Sequence, residues 1–142
     1  MLKKSKILIT GAKGFLGKAL VSLLKKNGYS NLITFSRKDY ELTKEADVIK
    51  LFKDFSGVNV VIHLAGDSGG IGYNRKHPGK IFYNGIMMNT LMQEYSRINN
   101  VRKFVGIGTV CSYPKFTPVP FKEENLWNGY PEETNAPYGL SK

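Results

Sequence analysis

Lys6-Ile7-Leu8-Ile9-Thr10-Gly11-Ala12-Lys13-Gly14-Phe15-Leu16-Gly17 is the stretch that decides the fold. An aliphatic run stops at a turn punctuated by Gly11, Gly14 and Gly17. Apolar residues at Phe15, Leu16, Ala19, Leu20, Leu23 and Leu24 then recur at helical spacing as far as Asn27, and Gly28 stands where a left-handed helix cap belongs. Strand, glycine turn and helix in immediate succession form a phosphate-binding unit, here spaced G-x-x-G-x-x-G rather than G-x-G-x-x-G. The physics is shared. Gly11 permits the tight turn, Gly14 lets backbone N–H groups approach a pyrophosphate, and Gly17 lets the helix pack close on the sheet. The helix N-terminus adds positive potential for the anion. Gly11, Lys13, Gly14, Phe15, Leu16 and Gly17 are therefore the expected cofactor contacts of this turn.

The pattern repeats outward from there. Leu32 to Phe35 reads as a second strand, and Thr43 as the N-cap of a helix reaching about Phe55, with Val48, Leu51, Phe52 and Phe55 facing inward. Val58 to Leu64 is a near-continuous apolar run of the kind buried on both faces of a parallel sheet. A Gly-rich loop, Gly66 to Gly72, precedes a long helix from Pro78 to about Asn99 that carries Ile81, Phe82, Ile86, Leu91 and Met92, with Asn84-Gly85 as its weak point. Lys103 to Gly108 is a fourth strand, and Ser112 to Pro137, rich in Pro and turn residues, reads as an ordered surface loop. This alternation predicts an α/β fold: a Rossmann-type, doubly wound parallel sheet with helices on both faces, formed by one domain over residues 1–142.

Composition excludes several other classes. With 42% hydrophobic residues, eight Tyr and eight Phe, the chain holds too much apolar material to be disordered. Its apolar runs fall well short of the ~20 residues that span a bilayer. A single Cys rules out a disulfide framework and fits a reducing compartment. The start, Met1-Leu2-Lys3-Lys4-Ser5-Lys6, runs straight into the first strand without a signal peptide, so a cytoplasmic setting is expected. The 21 basic against 11 acidic side chains are scattered, with no basic block and no nucleic-acid motif. Neither nucleic acid nor membrane is expected as a partner, and no metal site is read.

The end of the second strand selects the cofactor. An acidic residue there would bond the adenosine ribose and favour NAD. Ser36-Arg37-Lys38 stands there instead. Arg37 can pair with a 2′-phosphate, and Lys13 can reach the same group, which favours NADP(H). Asp39, close by, leaves ribose or adenine contact and NAD(H) open.

Tyr138-Gly139-Leu140-Ser141-Lys142 puts Tyr138 and Lys142 four apart, on one face of a helix begun near Asn135-Ala136-Pro137. An ammonium beside a phenol lowers its pKa, and such a Tyr can pass a proton to a carbonyl oxygen as hydride reaches the carbon.

Three motifs together resemble the extended short-chain dehydrogenase/reductases that act on nucleotide sugars: Thr10-Gly11-x-x-Gly14-x-x-Gly17, His63-Leu64-Ala65-Gly66 and Tyr138-x-x-x-Lys142. More narrowly, Gly69-Gly70-Ile71-Gly72 with Asn74-Arg75, and Cys111-Ser112-Tyr113-Pro114-Lys115 with Pro131-Glu132-Glu133-Thr134-Asn135, are similar to the GDP-L-fucose synthase family. The resemblance implies a GDP-sugar substrate, epimerisation at C3 and C5 beside a ketone, and then reduction at C4 by NADPH. It implies Thr109 as the hydroxyl that binds the keto oxygen, Cys111 as the epimerisation base, Tyr138 as the proton donor and Lys142 as the nicotinamide-ribose ligand. Ala65 and Gly66 would line the cofactor. His63 reads as a strand residue and His77 as a surface residue at a helix start, neither of them catalytic. Family members form homodimers, and they continue into a nucleotide-sugar-binding half that supplies a catalytic His. This chain is therefore expected to be an N-terminal part, inactive alone. The family's Asn on the long helix is replaced here by Gly85, with Asn84 one residue earlier. Two other readings stay open: an epimerase or dehydratase with tightly bound NAD, and a non-catalytic nucleotide-binding fragment.

Overall fold

Along the first strand, successive side chains point to opposite faces, and both faces of this strand are covered. Ile7 and Ile9 pack with Ala12, Val60, Leu20, Val21 and Leu24 on one side. Leu8 packs with Val48, Leu51, Phe52, Val61, Met88, Leu91 and Met92 on the other. Ile7, Leu8 and Ile9 are wholly buried, and burying a side chain of that size stabilises by about 1.5–3 kcal/mol. The computed structural model describes residues 3–142, so Met1 and Leu2, which open the N-terminal stretch, lie outside the described residues.

The elements run β1 (Ile7–Thr10), α1 (Phe15–Lys26), β2 (Leu32–Thr34), α2 (Glu45–Asp54), β3 (Val60–His63), α3 (Gly70–Lys76), α4 (Pro78–Ile98), β4 (Lys103–Gly106) and α5 (Ala136–Leu140), with 3₁₀ turns at Val110–Ser112 and Glu123–Trp127. The strands form one parallel sheet in the order β2-β1-β3-β4. The chain divides into two compact units, Met1–Gly66 with Met87–Ile107, and Asp67–Ile86 with Gly108–Lys142.

In the first unit the doubly wound Rossmann arrangement expected from the sequence is present. The connections turn in opposite directions from β1, so the switch point falls between the C-terminal ends of β1 and β3, where such sheets bind ligands. Asn59 fixes the other end of this pair. Its side chain accepts from Lys6 N at 2.8 Å and its N–H donates to Lys6 O at 2.9 Å. On α1, Leu20, Val21 and Leu24 face the sheet, whereas Phe15 is 99% and Leu16 51% exposed. The helical spacing that includes Phe15 and Leu16 thus overstates the buried face. Gly28 has φ +81°, as its cap position requires.

Other details of the first unit differ from the sequence reading. Thr43 is not the cap of α2: Lys44 precedes the helix and makes no side-chain cap bond. Asp47 reaches back instead to accept from Glu41 N at 2.8 Å, and Glu45 and Asp47 oppose the helix dipole in the first turn. On α4, Ile86 is 37% exposed, and Met88 takes the buried place beside Leu91 and Met92.

In the second unit, the Gly-rich stretch does not stay a loop to Gly72, because α3 begins at Gly70. Tyr73 stabilises that short helix by packing its ring on His77 at 4.7 Å between centroids. The helix α4 passes through Asn84-Gly85 unbroken, since the Asn84 side chain donates to Asp67 Oδ2 at 2.6 Å rather than competing for the helix backbone. Phe82 is 42% exposed and only Ile81, at 1%, is fully buried in this part of α4. The segment after Ser112 is ordered by a bridge between Pro114 and Pro131, by Lys115 N donating to Tyr130 O at 3.0 Å, and by the Lys115–Glu133 ion pair at 3.0 Å. Among the described residues no helix is long and apolar enough to cross a membrane.

Tyr40 gives the first unit an alkaline limit. Its ring is buried and its hydroxyl donates to Asp54 Oδ2 at 2.7 Å. That bond, then burial and the charge of Asp54, push the phenol up to about 12. A raised folded-state pKa means the contribution is intact below pH ~10, the unfolded value, and is lost as pH rises towards 12. Thermal melts of the wild type and Tyr40→Phe should therefore differ most at pH 7–9, with the gap closing between pH 10 and 12. A gap that stayed constant with pH would show that the Asp54 bond contributes nothing.

Candidate functional site

At the switch point, the first unit brings two backbone segments unusually close. Gly11 has φ +65°, and a Cβ there would lie 2.8 Å from both Ala65 N and the Leu64 carbonyl carbon. The Thr10 hydroxyl ties the same segments together, accepting from Leu64 N at 3.1 Å and Ala65 N at 3.0 Å. With both lone pairs used, its own proton goes to His63 Nδ1, 2.8 Å away, which leaves that ring as the Nε2–H tautomer. His63 is 1% exposed and lies against Phe104, so it is a structural part of β3.

The turn then enters α1. Gly14 N donates to Gly11 O at 2.9 Å and Lys18 N to Gly14 O at 3.0 Å. A Cβ on Gly17 would press into Ala12, 2.6 Å from its Cα. Gly14 caps the helix with extended backbone and no side-chain bond, so the first-turn N–H groups of α1 face outward beside exposed Lys13 and Phe15. An uncapped N-terminus, a backbone that only glycine permits and a cation next to it fit a dinucleotide pyrophosphate.

After β2, Arg37 is 68% exposed and pairs through Nε with Glu41. Asp39 is committed elsewhere: its Oδ2 accepts from Ser36 N and Ser36 Oγ, each at 2.7 Å. Those bonds hold its carboxyl below the usual range, and the Lys13 ammonium lies close enough to lower it further. The turn thus places Lys13 and Arg37 around one short segment, with the nearby carboxylates already engaged.

The second unit assembles the other predicted residues. Thr109 caps the 3₁₀ turn, its Oγ1 accepting from Cys111 N at 3.2 Å. Cys111 is a partly exposed free thiol. Tyr138 stands in α5, where its phenol is hydrogen-bonded with Thr109 and feels the charge of Cys111. Burial raises the Tyr138 pKa first and the charge of Cys111 second, while a hydrogen bond with Thr109 works in the opposite direction. Thr109, Cys111 and Tyr138 therefore form one cluster.

Lys142 does not join it as expected. The sequence predicts that the ammonium lowers the phenol, yet the Tyr138 pKa is raised and Lys142 is not among the groups acting on it. α5 spans Ala136–Leu140 with Ser141 as its C-cap. Burial alone lowers the Lys142 ammonium. Sequence reasoning also missed Ser112, whose Oγ donates to Gly139 O at 2.6 Å and fastens the 3₁₀ turn to α5. Its proximity to Cys111 was the only available signal.

A doubly wound parallel sheet with a glycine turn at its switch point defines a Rossmann-type dinucleotide-binding protein. Residues 7–142 match the NAD dependent epimerase/dehydratase family, and the chain belongs to it. It is 31% identical over 140 residues to GDP-L-fucose synthase 1 of Arabidopsis thaliana, an alignment covering 99% of this chain and 43% of that protein. It is 33% identical over 155 residues to GDP-mannose 3,5-epimerase 1 of Oryza sativa subsp. japonica, covering 99% of this chain and 40% of the relative. MlghC, a GDP-mannoheptose C4 reductase from Campylobacter jejuni solved with NADP bound, superposes with a TM-score of 0.94 at 33% identity, covering 100% of this chain and 42% of that one. The chain thus spans less than half the length of these relatives.

Removing Thr109 should expose its part in the cluster. Its hydrogen bond is the contact that favours the Tyr138 phenolate, so in Thr109→Val the phenol should titrate still higher above 10 than in the wild type. Tyrosinate absorbance, with the Tyr138→Phe titration subtracted, measures this directly. A downward shift would contradict the assignment.

Proposed function

We propose that residues 1–142 are the N-terminal, NADP(H)-binding and catalytic part of a GDP-4-keto-6-deoxymannose 3,5-epimerase/4-reductase, similar to GDP-L-fucose synthase. The observation that carries this reading is the meeting of a partly exposed thiol, Cys111, with the Thr109 hydroxyl and the Tyr138 phenol in one cluster. A reductase acting on a ketone needs only a hydroxyl and a proton donor. A thiol beside them supplies the base that epimerisation next to the ketone requires.

Each residue has a distinct part. The Thr109 hydroxyl binds the C4 keto oxygen and so acidifies the C–H bonds at C3 and C5. The Cys111 thiolate removes one such proton and becomes a thiol, leaving the carbon electron pair delocalised onto the keto oxygen. Return of a proton to the opposite face completes each epimerisation, and the donor for that step belongs to the half of the protein beyond this chain. In the reduction, Tyr138 gives its O–H proton to the C4 oxygen. Its raised pKa keeps it a neutral phenol near pH 7, the form a donor needs. Bound NADPH supplies the hydride. The Gly11–Gly17 turn would hold its pyrophosphate, Arg37 and Lys13 its 2′-phosphate, Ala65 and Gly66 would line it, and Lys142 would hold its nicotinamide ribose. The presence of NADP in the similar C4 reductase supports that choice of cofactor.

Alone, the 142-residue chain should show no turnover. The reading is tested in a protein that joins this segment to a substrate-binding half, incubated with the 4-keto sugar nucleotide in deuterated water. Cys111→Ser should cut deuterium entry at C3 and C5 by about 10²–10⁴-fold, whereas Tyr138→Phe should abolish NADPH oxidation and leave that exchange in place. Unchanged deuterium entry in Cys111→Ser would refute the base assignment.

A further inference from the structure

Gly85 sits inside α4, where glycine is disfavoured and helix chemistry gives no reason for it. What faces it supplies the reason. A Cβ built on Gly85 would lie 2.6 Å from Ser141 Cβ and would meet Ser141 Oγ more closely still. Ser141 is 3% exposed, and its hydroxyl donates to the Tyr138 carbonyl at 2.9 Å. Gly139 makes a second approach of the same kind: its Cβ would lie 2.6 Å from the Cys111 carbonyl carbon and 3.0 Å from Ser112 N. The segment Tyr138–Lys142 is therefore seated against α4 through Ser141 and against the Cys111 turn through Gly139. Asn84 cannot take over at α4, because its amide is committed to Asp67 Oδ2 at 2.6 Å.

We propose that Gly85 and Ser141 are a positioning pair for Tyr138: α4 gives up a side chain so that Ser141 can fill its place, and this contact fixes the α5 turn with the Tyr138 phenol against Thr109 and Cys111. That Tyr138 is the proton donor rests on the function proposed above; the seating of Tyr138 does not.

The test uses the 142-residue chain and needs neither cofactor nor turnover, so it stands or falls separately from that function. Tyr138 titration is followed by tyrosinate absorbance with the corresponding Tyr138→Phe background subtracted, and thermal melts are run alongside. The groups facing the phenol are Cys111 and Thr109, so a turn shifted away from them should titrate closer to an ordinary tyrosine. Gly85→Ala should lower the Tyr138 midpoint towards that of an ordinary tyrosine. Moving the side chain across, in Gly85→Ala/Ser141→Gly, should restore it. Ser141→Gly alone, which removes the contact without a clash, should also lower it, and this variant decides the matter if Gly85→Ala does not fold. A midpoint unchanged in Ser141→Gly, or in a folded Gly85→Ala that merely melts earlier, would overturn the proposal. Failure of the double variant to recover the wild-type midpoint would overturn it as well.

Discussion

Gly11 approaches the Leu64–Ala65 peptide so closely that any side chain would collide with it, at a φ that only glycine adopts without strain. Forcing another residue into that conformation costs about 1–3 kcal/mol before the clash is counted. The approach is held by the Thr10 hydroxyl, which accepts from both Leu64 and Ala65, and by His63, which receives the remaining proton within the core. Because β1 and β3 are locked at this point, the chain leaving β1 must turn tightly. The N-terminus of α1 is thereby presented without a side-chain cap. The open, uncapped start of α1 follows from one buried hydroxyl and one missing Cβ.

The second unit reaches its arrangement with a comparable economy. Thr109 caps a 3₁₀ turn and so fixes Cys111. Ser112 ties that turn to the α5 backbone, and Tyr138 on α5 bonds with Thr109 within electrostatic range of Cys111. Hydrogen bonds from three neighbouring residues of the same turn thus do the positioning that a larger core would do elsewhere. A phenol held neutral beside a thiol suits an acid and a base with separate tasks, each set by its immediate surroundings.

Much of this was legible in the sequence because it rests on local patterns. The Ile7–Thr10 strand, the glycine spacing and the helical run through Leu20 and Leu24 each announce themselves within a few residues, and the parallel order follows from their alternation. What the sequence could not show depends on residues far apart in the chain. Asn59 bonding Lys6 across β1 and β3, and Asp47 bonding Glu41 N ahead of an α2 that no side chain caps, are choices that no local pattern announces. So is the exposure of Phe15, an apolar residue at helical spacing that lies where the turn must stay open. Gly85 looked like a weak point in α4, and it became intelligible only with Ser141 beside it.

The central claim is that the turn after β1, with Lys13 and Arg37, is built for a dinucleotide bearing a 2′-phosphate. Calorimetric titration of the chain with NADPH and with NADH, at matched ionic strength, tests it most directly. The account predicts saturable NADPH binding at least about tenfold tighter than NADH, a difference of about 1.4 kcal/mol from pairing with the extra phosphate. Equal affinities for the two, or no binding of either, would contradict it.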